Sequence, residues 1–591
     1  MFEFFKKILV VENLRERGLT LVFYSLCLMF AISLFKNISY PLLWADESMT
    51  AMHGKRVLEY GYPKVHDGKN VVYDLRHPNP NLGIDEKTDA YIGGANWGMY
   101  YFAAVAVRLA QMSDDLFTKT AIVRIPFALF GLLGLAIFGL LGAEFFDSRF
   151  SKKGFWILFA FFELISVPLV LHLREARYYS LTVFLTALAI FIYTRYRILK
   201  KTKYLINVIF LTLSLFLLFV TFSPVYFIFL IAIFLFESIA FVKDLFSKYA
   251  KKSGQVPSGV SSLNQSFKYY LRNLVPLVLS LIAVSPLISF FKTFYIAEEM
   301  AKFNFFLFRI SKWDMYLASL SVIWKYFRSF DLIYLAVFLK CCLLFSIVRL
   351  GGREISSPDT RKLGFSNFLS VIFIVYFFAI ARIPNFPFTR YFIPLQPVLA
   401  VMIILDVALV YNLISSRPPR GIKYYKIILL IVFAGFILTN IGRNIEYIRG
   451  HVYELSHQYR GPLDYLIPFI KERYRDTDKL VIATNYEETS FMYYLESKVI
   501  IGYVGNNLYE DTQAIPDIVI FRKSWRNLDL KIFIDFLAKH PYERISLPVF
   551  DYTMNNIPEL NFSPEYKHQF QTLETQDEKM KVDIFLKRGP Q

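Results

Sequence analysis

Three cysteines in 591 residues leave no basis for a disulfide framework. Cys27, Cys341 and Cys342 all lie in apolar runs, and sequence neighbours such as the last two rarely pair, so cysteine usage does not fix the redox compartment. Charge is scarce as well: 19% of residues are charged, whereas 55% are hydrophobic and 18% aromatic, which excludes a soluble globular domain. No small-residue cleavage site follows the first apolar run, so that run reads as an uncleaved anchor. A phosphate-cradling glycine fingerprint is missing, since "GYVGNN" at 502–507 is too short a match. No repeat of fixed period occurs, and the only linker-like stretch is "SGQVPSGVSS" at 253–262.

What remains is a polytopic membrane protein. A spanning helix needs about 20 mostly apolar residues. Runs of that kind fall near 19–40, 121–143, 154–171, 178–194, 204–222, 224–242, 274–291, 330–349, 364–382, 391–413 and 425–441, which predicts about eleven spans. The net charge of +18 could suggest nucleic acid, but the basic residues gather in short loops between these runs, which is a topology signal instead. Lys6, Lys7, Arg15 and Arg17, then Arg149, Lys152 and Lys153, then "RYRILKKTKY" at 195–204, "KDLFSKYAKKSG" at 243–254, the basic residues of 349–362 and "SSRPPRGIKYYK" at 415–426 all fall on one side. That parity holds only if "WGMYYFAAVAVRLAQM" at 97–112 lies along the surface rather than crossing. The expected arrangement is N-terminus inside and C-terminus outside the cytoplasmic membrane, with outer loops at 42–120, 172–179, 292–329 and 382–391. Residues 1–441 form the membrane domain. After residue 441 the apolar runs give way to a polar unit, 442–591, in which "KLVIATN", "KVIIGYV" and "DIVIFR" alternate with the helical patterns "PLDYLIPFIKERYR" and "YEETSFMYYLE". That alternation predicts an extracytoplasmic α/β domain.

The chemistry-bearing residues concentrate outside. Asp46 and Glu47 follow the first span directly. As a helix start, Asp46 would cap a helix over about 47–60 with Glu47 in its first turn; as catalytic groups, the pair could take a proton from an acceptor hydroxyl or amine. "HLREARYYSL" packs His172, Arg174, Glu175, Arg177 and Tyr178 into one short outer loop. Arg382 and Arg390, the latter beside Tyr391, repeat the excess of arginine on that side. These positions form either an interfacial belt or an anion site for a lipid phosphate, which arginine forks bind at two points. Glu163, Lys340 and Asp406 sit mid-span and require partners or a polar cavity. His53, on the same face of a helix as Asp46, reads as a surface histidine, and no metal-ligand set is evident. The glycines of "GLLGLAIFGLLG" at 131–142 permit close packing of spans.

Over residues 15–440 the chain resembles membrane glycosyltransferases of the GT-C superfamily, in the branch of protein O-mannosyltransferases and bacterial aminoarabinose transferases. The resemblance rests on "ADES" at 45–48, "VLEYGYP" at 57–63, the "YY" of 100–101 leading to "IVRIPFALFGLLG", then "HLREARYYSL" and "RYFIPLQP" at 390–397, in that order. It implies sugar transfer from a polyprenyl-phosphate carrier to an extracytoplasmic lipid, glycan or protein, by inverting displacement. Asp46 would then be the general base and Glu47 its orienting neighbour. Arg174, Arg177 and Arg390 would stabilise the departing phosphate, with His172, Glu175, Tyr178, Arg382 and Tyr391 lining the site. No cofactor follows from the residues themselves, and the resemblance allows a divalent metal. Aminoarabinose transferases typically carry Glu-Lys-Pro-Pro where this chain has "IGGANWGMYY" at 92–101. Two rival readings are a polyprenyl-lipid flippase or transporter, in which Glu163 or Lys340 would couple protons, and an envelope glycan polymerase or ligase.

Overall fold

A computed structural model of the chain describes residues 14–73, 77, 79, 81–93, 97–250, 259–308, 311–330, 333–349, 357–382, 389–416, 460–501, 514–523, 531–551, 575–579 and 581–588, with isolated positions between 431 and 449. Helices α1 (Leu14–Phe35), α2 (Ala45–Tyr60), α3 (Trp97–Ala110), α4 (Leu116–Ala143), α5 (Arg149–Ile165), α6 (Val167–Leu173) and α7 (Tyr178–Arg197) come first. They are followed by α8 (Tyr204–Ala250), α9 (Gly259–Phe290), α10 (Thr293–Phe308), α11 (Lys312–Phe330), α12 (Ile333–Arg349), α13 (Ser357–Ile380) and α14 (Leu395–Ser416). Among the described residues seven helices are long and apolar enough to cross a membrane: α1, α4, α7, α8, α9, α13 and α14. The chain is a polytopic helical membrane protein.

Several expected boundaries are met by local causes. Helix α8 leaves helical geometry at Phe222, two residues before Pro224, and so divides where two spans, 204–222 and 224–242, are expected. Helix α3 has 14 residues, about 21 Å at 1.5 Å per residue, too short for the ~30 Å hydrocarbon core. Its small residues lie against α2, where a Cβ added at Gly54 would meet Ala103 and Ala104 backbone at 3.0 Å. The span expected at 154–171 is not one helix. It breaks at Ser166 (φ −79°, ψ 84°), because Pro168 in the first turn of α6 cannot donate to a continuing ladder. The segment 292–329, expected as an outer loop, folds as α10 and α11. Most of the span expected at 425–441, residues 253–258 of the 253–262 linker, "GYVGNN" and the tip of the 382–391 turn lie outside the described residues.

Glycine sets how closely α4 meets α7. A Cβ at Gly134 would lie 2.8 Å from the Phe184 backbone, so only glycine allows the two axes to approach this far. That approach brings the α6–α7 turn, with Arg174 to Arg177, over the start of α2. The mid-span charges find partners: Lys340 Nζ on α12 lies 3.0 Å from Asp406 of α14 and donates to Ser366 Oγ of α13 at 2.5 Å. Glu163 of α5 is buried.

The C-terminal part holds a five-stranded sheet of order β2-β1-β3-β5-β4, built from β1 (Val481–Thr484), β2 (Lys498–Ile501), β3 (Ile518–Phe521), β4 (Tyr542–Phe550) and β5 (Lys581–Lys587). Strand β1 pairs parallel with β2 and β3, while β5 pairs antiparallel with β3 and β4. Ile482, Val519, Ile520 and Ile584 are buried on the inner strands. Helices α15 (Pro462–Arg473), α16 (Glu488–Leu495) and α17 (Lys531–Lys539) accompany the sheet. Three strands and two helices stand where the residue pattern predicts them. Strands β4 and β5 escape it because "YERISLPVF" and "KVDIFLK" intersperse charges that find partners: Arg544 and Lys523 meet Asp583 at 3.0 and 2.6 Å. The sheet unit docks on the entry to α2: Leu42 N–H donates to Asp464 Oδ1 at 2.9 Å and Leu43 N–H to the Tyr494 hydroxyl at 3.0 Å.

Candidate active site

Trp44, in extended conformation, is the residue before the first turn of α2, and no side chain caps that end. Asp46 therefore does not cap the helix, contrary to the simplest reading of its position. Asp46 and Glu47 instead occupy the second and third helical positions, where the dipole still favours both charges. Their side chains take different directions.

Glu47 is fully buried and doubly bonded to Arg124 of α4, at 2.8 Å from Nε and 2.6 Å from Nη2. Its Oε1 also accepts the Ala176 N–H at 2.9 Å, and Arg124 Nη1 donates to the carbonyls of Ile38 (2.9 Å) and Pro41 (2.7 Å). One ion pair thus ties together the end of α1, the start of α2, α4 and the α6–α7 turn. Arg124 lies within "IVRIPFALF" and is not among the residues expected at the site. A charge inside an apolar run is the signal that could have found it, since it demands a partner.

Asp46 is 22% exposed, with Oδ2 at 3.1 Å from Arg390 Nη1 and 3.5 Å from Arg177 Nη2. Arg177 Nη1 donates to the Asp46 carbonyl at 3.0 Å and to Thr50 Oγ1 at 3.1 Å. Burial opposes the charge on Arg177, but Asp46 and the neighbouring tyrosines outweigh it and hold its pKa above the usual value. For Arg390 burial is likewise outweighed, by Tyr179 and Asp46, and its pKa is also raised. Both guanidiniums are firmly cationic. Aromatic rings wall the site: Tyr178 stacks on Phe222 at 4.3 Å, Phe222 lies 6.2 Å from Tyr391, and Arg390 lies over the rings of Trp44 (5.6 Å) and Tyr391 (5.9 Å).

The other sequence-predicted residues separate into two sets. His172 and Glu175 are buried beside the same turn, with Nδ1 3.3 Å from Oε1, and the His172 ring meets Tyr179 edge-on at 5.4 Å. Arg174 donates to the Lys36 carbonyl at 2.9 Å, fastening the turn to the end of α1. Arg382 is exposed and lies over Tyr316 at 5.9 Å, outside the contacts that join Asp46, Arg177 and Arg390. His53 is not at the surface: it is wholly buried between Tyr91 (4.7 Å) and Tyr100 (4.5 Å), and burial, aided by Arg56 and Arg177, lowers its pKa to about 3.

Around Asp46, buried polar atoms have no hydrogen-bond partner among the described residues: Trp44 Nε1, both nitrogens of His172, both carboxylate oxygens of Glu175, Arg177 Nε and the Tyr179 hydroxyl. Each such group costs about 1–3 kcal/mol if left unpaired. Their concentration beside a part-exposed carboxylate and two cations leaves groups with which a polar ligand can pair. No group of three or more His, Cys, Asp or Glu side chains suited to a metal converges among the described residues.

No family model matches the chain, and no curated protein matches it. Among solved structures it is similar to ArnT. That structure is the crystal structure of ArnT from Cupriavidus metallidurans in the apo state, at 11% identity and a TM-score of 0.37, over 97% of this chain and 99% of that one.

Proposed function

We propose that the protein is a GT-C-type glycosyltransferase that moves a sugar from a polyprenyl-phosphate carrier to an extracytoplasmic lipid, glycan or protein acceptor. The observation that carries this reading is one part-exposed carboxylate, Asp46, held between two arginines, the buried Arg177 and the half-buried Arg390, beside an aromatic wall. The acceptor's oxygen or nitrogen attacks the anomeric carbon as the bond from that carbon to the phosphate oxygen breaks. Asp46 takes the acceptor's proton, and the phosphate leaves as an anion neutralised by Arg177 and Arg390. A leaving group stabilised this way needs no second acid. Attack opposite the phosphate inverts the anomeric centre.

In this reading Tyr178 and Tyr391 flank the sugar or carrier, and His172 and Glu175 offer their buried polar atoms to it. Glu47 and Arg174 act as positioning residues through their bonds to Arg124 and Lys36. Arg382 stands apart as an outlying cation on the approach. Residues 1–441 carry the reaction at the outer face of the cytoplasmic membrane, and 442–591 cover the entry to α2 from that side. The transporter reading has weaker support, because Lys340 is paired with Asp406 and Ser366 rather than standing free for proton coupling.

The test is transfer of radiolabelled sugar from polyprenyl phosphate by purified, reconstituted protein, with Asp46→Asn as the comparison. Transfer by wild type alone is the expected result. Equal transfer by both removes Asp46 from the base role, and lipid crossing the bilayer without transfer favours the transporter.

A further inference from the structure

A second polar site lies at the far end of α7. That helix runs 20 residues from Tyr178 to Arg197, about 30 Å at 1.5 Å per residue, so its end is a membrane thickness from Asp46. There a cavity of about 380 Å³ is lined by Arg197, by Glu237 and Asp244 of α8, and by Ser266, Tyr269 and Tyr270 of α9. Its size falls within the ~300–1,000 Å³ of ligand-holding pockets.

The cavity is built, not incidental. Glu237 is buried, and its Oε1 accepts from the Tyr193 hydroxyl at 2.5 Å and Arg197 Nε at 2.8 Å, while Oε2 accepts from Asn273 Nδ2 at 3.0 Å. This fixes the Arg197 guanidinium by one edge. Its Nη groups have no protein hydrogen-bond partner among the described residues, and the group lies over the Tyr269 ring at 5.1 Å. Lys200 reinforces that end, donating to the Tyr269 hydroxyl at 2.6 Å. Elsewhere in the lining Asp244 accepts from Ser266 Oγ at 2.6 Å. The cavity therefore offers a cationic part and an anionic part with tyrosine rings in its wall. Phe246 and Phe267, on the same helix ends, are 71% and 46% exposed, so apolar chains have a surface to lie on.

We infer that this cavity binds the zwitterionic headgroup of a phospholipid in the leaflet opposite Asp46, with the phosphate on Arg197 and the ammonium toward Asp244. A forked guanidinium suits phosphate oxygens, and a carboxylate suits a primary ammonium but not a neutral glycerol headgroup. The site takes no part in the transfer chemistry, so it stands whether or not Asp46 is a base.

The experiment is native mass spectrometry of the delipidated full chain in detergent, titrated with dioleoyl phosphatidylethanolamine or dioleoyl phosphatidylglycerol. The ethanolamine lipid is expected to bind in preference. Asp244→Asn, which leaves the Arg197–Glu237 pair intact, lowers ethanolamine-lipid binding about tenfold and erases the preference. Arg197→Gln lowers binding of both lipids. A wild type that does not discriminate, or an Asp244→Asn chain that still does, overturns the assignment. Equal binding of soluble phosphoethanolamine overturns the lipid as its source. Because Asp244→Asn decides the matter, a failure of Arg197→Gln to fold does not leave it open.

Discussion

Asp46 and Glu47 are neighbours in sequence, yet they stand in two differently finished regions. Glu47 sits in a closed region: its carboxylate is doubly bonded to Arg124, takes a third hydrogen bond from the Ala176 N–H, and is fully buried. Asp46 sits in an open one, part-exposed, with its two arginines at 3.1 and 3.5 Å and, around it, polar atoms that have no partner among the described residues. The difference teaches how a membrane-surface site is made. A saturated ion pair fixes the backbone, and the adjacent unsaturated one keeps the capacity to pair with a ligand that the proposed function requires. A buried pair of the first kind gives little net stability but fixes geometry, because losing either partner strands a charge.

The largest expected effect falls on the open region. Asp46→Asn keeps the shape and removes the proposed base, so the proposed transfer should drop by about 10²–10⁴-fold while the melting temperature in detergent stays near wild type. A variant that instead loses stability and keeps its turnover per folded molecule would show that Asp46 belongs with Glu47. The converse holds for Glu47→Gln, which leaves Arg124 buried with half its pairing and should cost about 3–5 kcal/mol of stability by denaturant titration. Full stability in that variant would mean that the closed region is not what holds α2, α4 and the α6–α7 turn together. Arg390→Gln comes next, with transfer reduced about 10–100-fold. Because Arg390 is assigned to the leaving phosphate, the loss should shrink with a carrier bearing a better leaving group, and an undiminished loss would leave Arg390 only a structural role.

The open region is more legible in the sequence than the closed one, for a physical reason. Arginines in short loops that the charge parity assigns to the outer side defy the usual charge bias, so Arg177 and Arg390 stand out from the residue pattern alone. Glu47 and Arg124 are 77 positions apart, and nothing local to either says that they meet. Spans are legible because hydropathy acts over a whole run, and Gly134 because only packing explains a glycine there. The break at Ser166 turns on a single proline, and β4 and β5 carry charges whose partners come from elsewhere in the sheet unit. His53 defies the surface expectation for a related reason: its burial comes from Tyr91 and Tyr100, supplied by the following loop and helix.

The smallest effect concerns how the closed region is held from the sheet side. Asp464 Oδ1 accepts the Leu42 N–H just ahead of α2, and Oδ2 accepts the Gly461 N–H at 2.7 Å. Burial raises its pKa to about 7, aided by Glu487 and opposed by those two N–H groups and by Arg124. In the unfolded chain an aspartate titrates near ~3.9. The folded form therefore binds the proton more tightly, so this stabilising contribution is complete below about pH 4 and is lost as pH rises through about 7. The slope is at most about 1.4 kcal/mol per pH unit in that window. Asp464→Asn mimics the protonated group and should flatten stability between about pH 4 and 7 without touching the Asp46 cluster. If the variant's stability still falls across that range as wild type does, the titrating group is another, and the grip of the sheet unit on α2 does not depend on this proton.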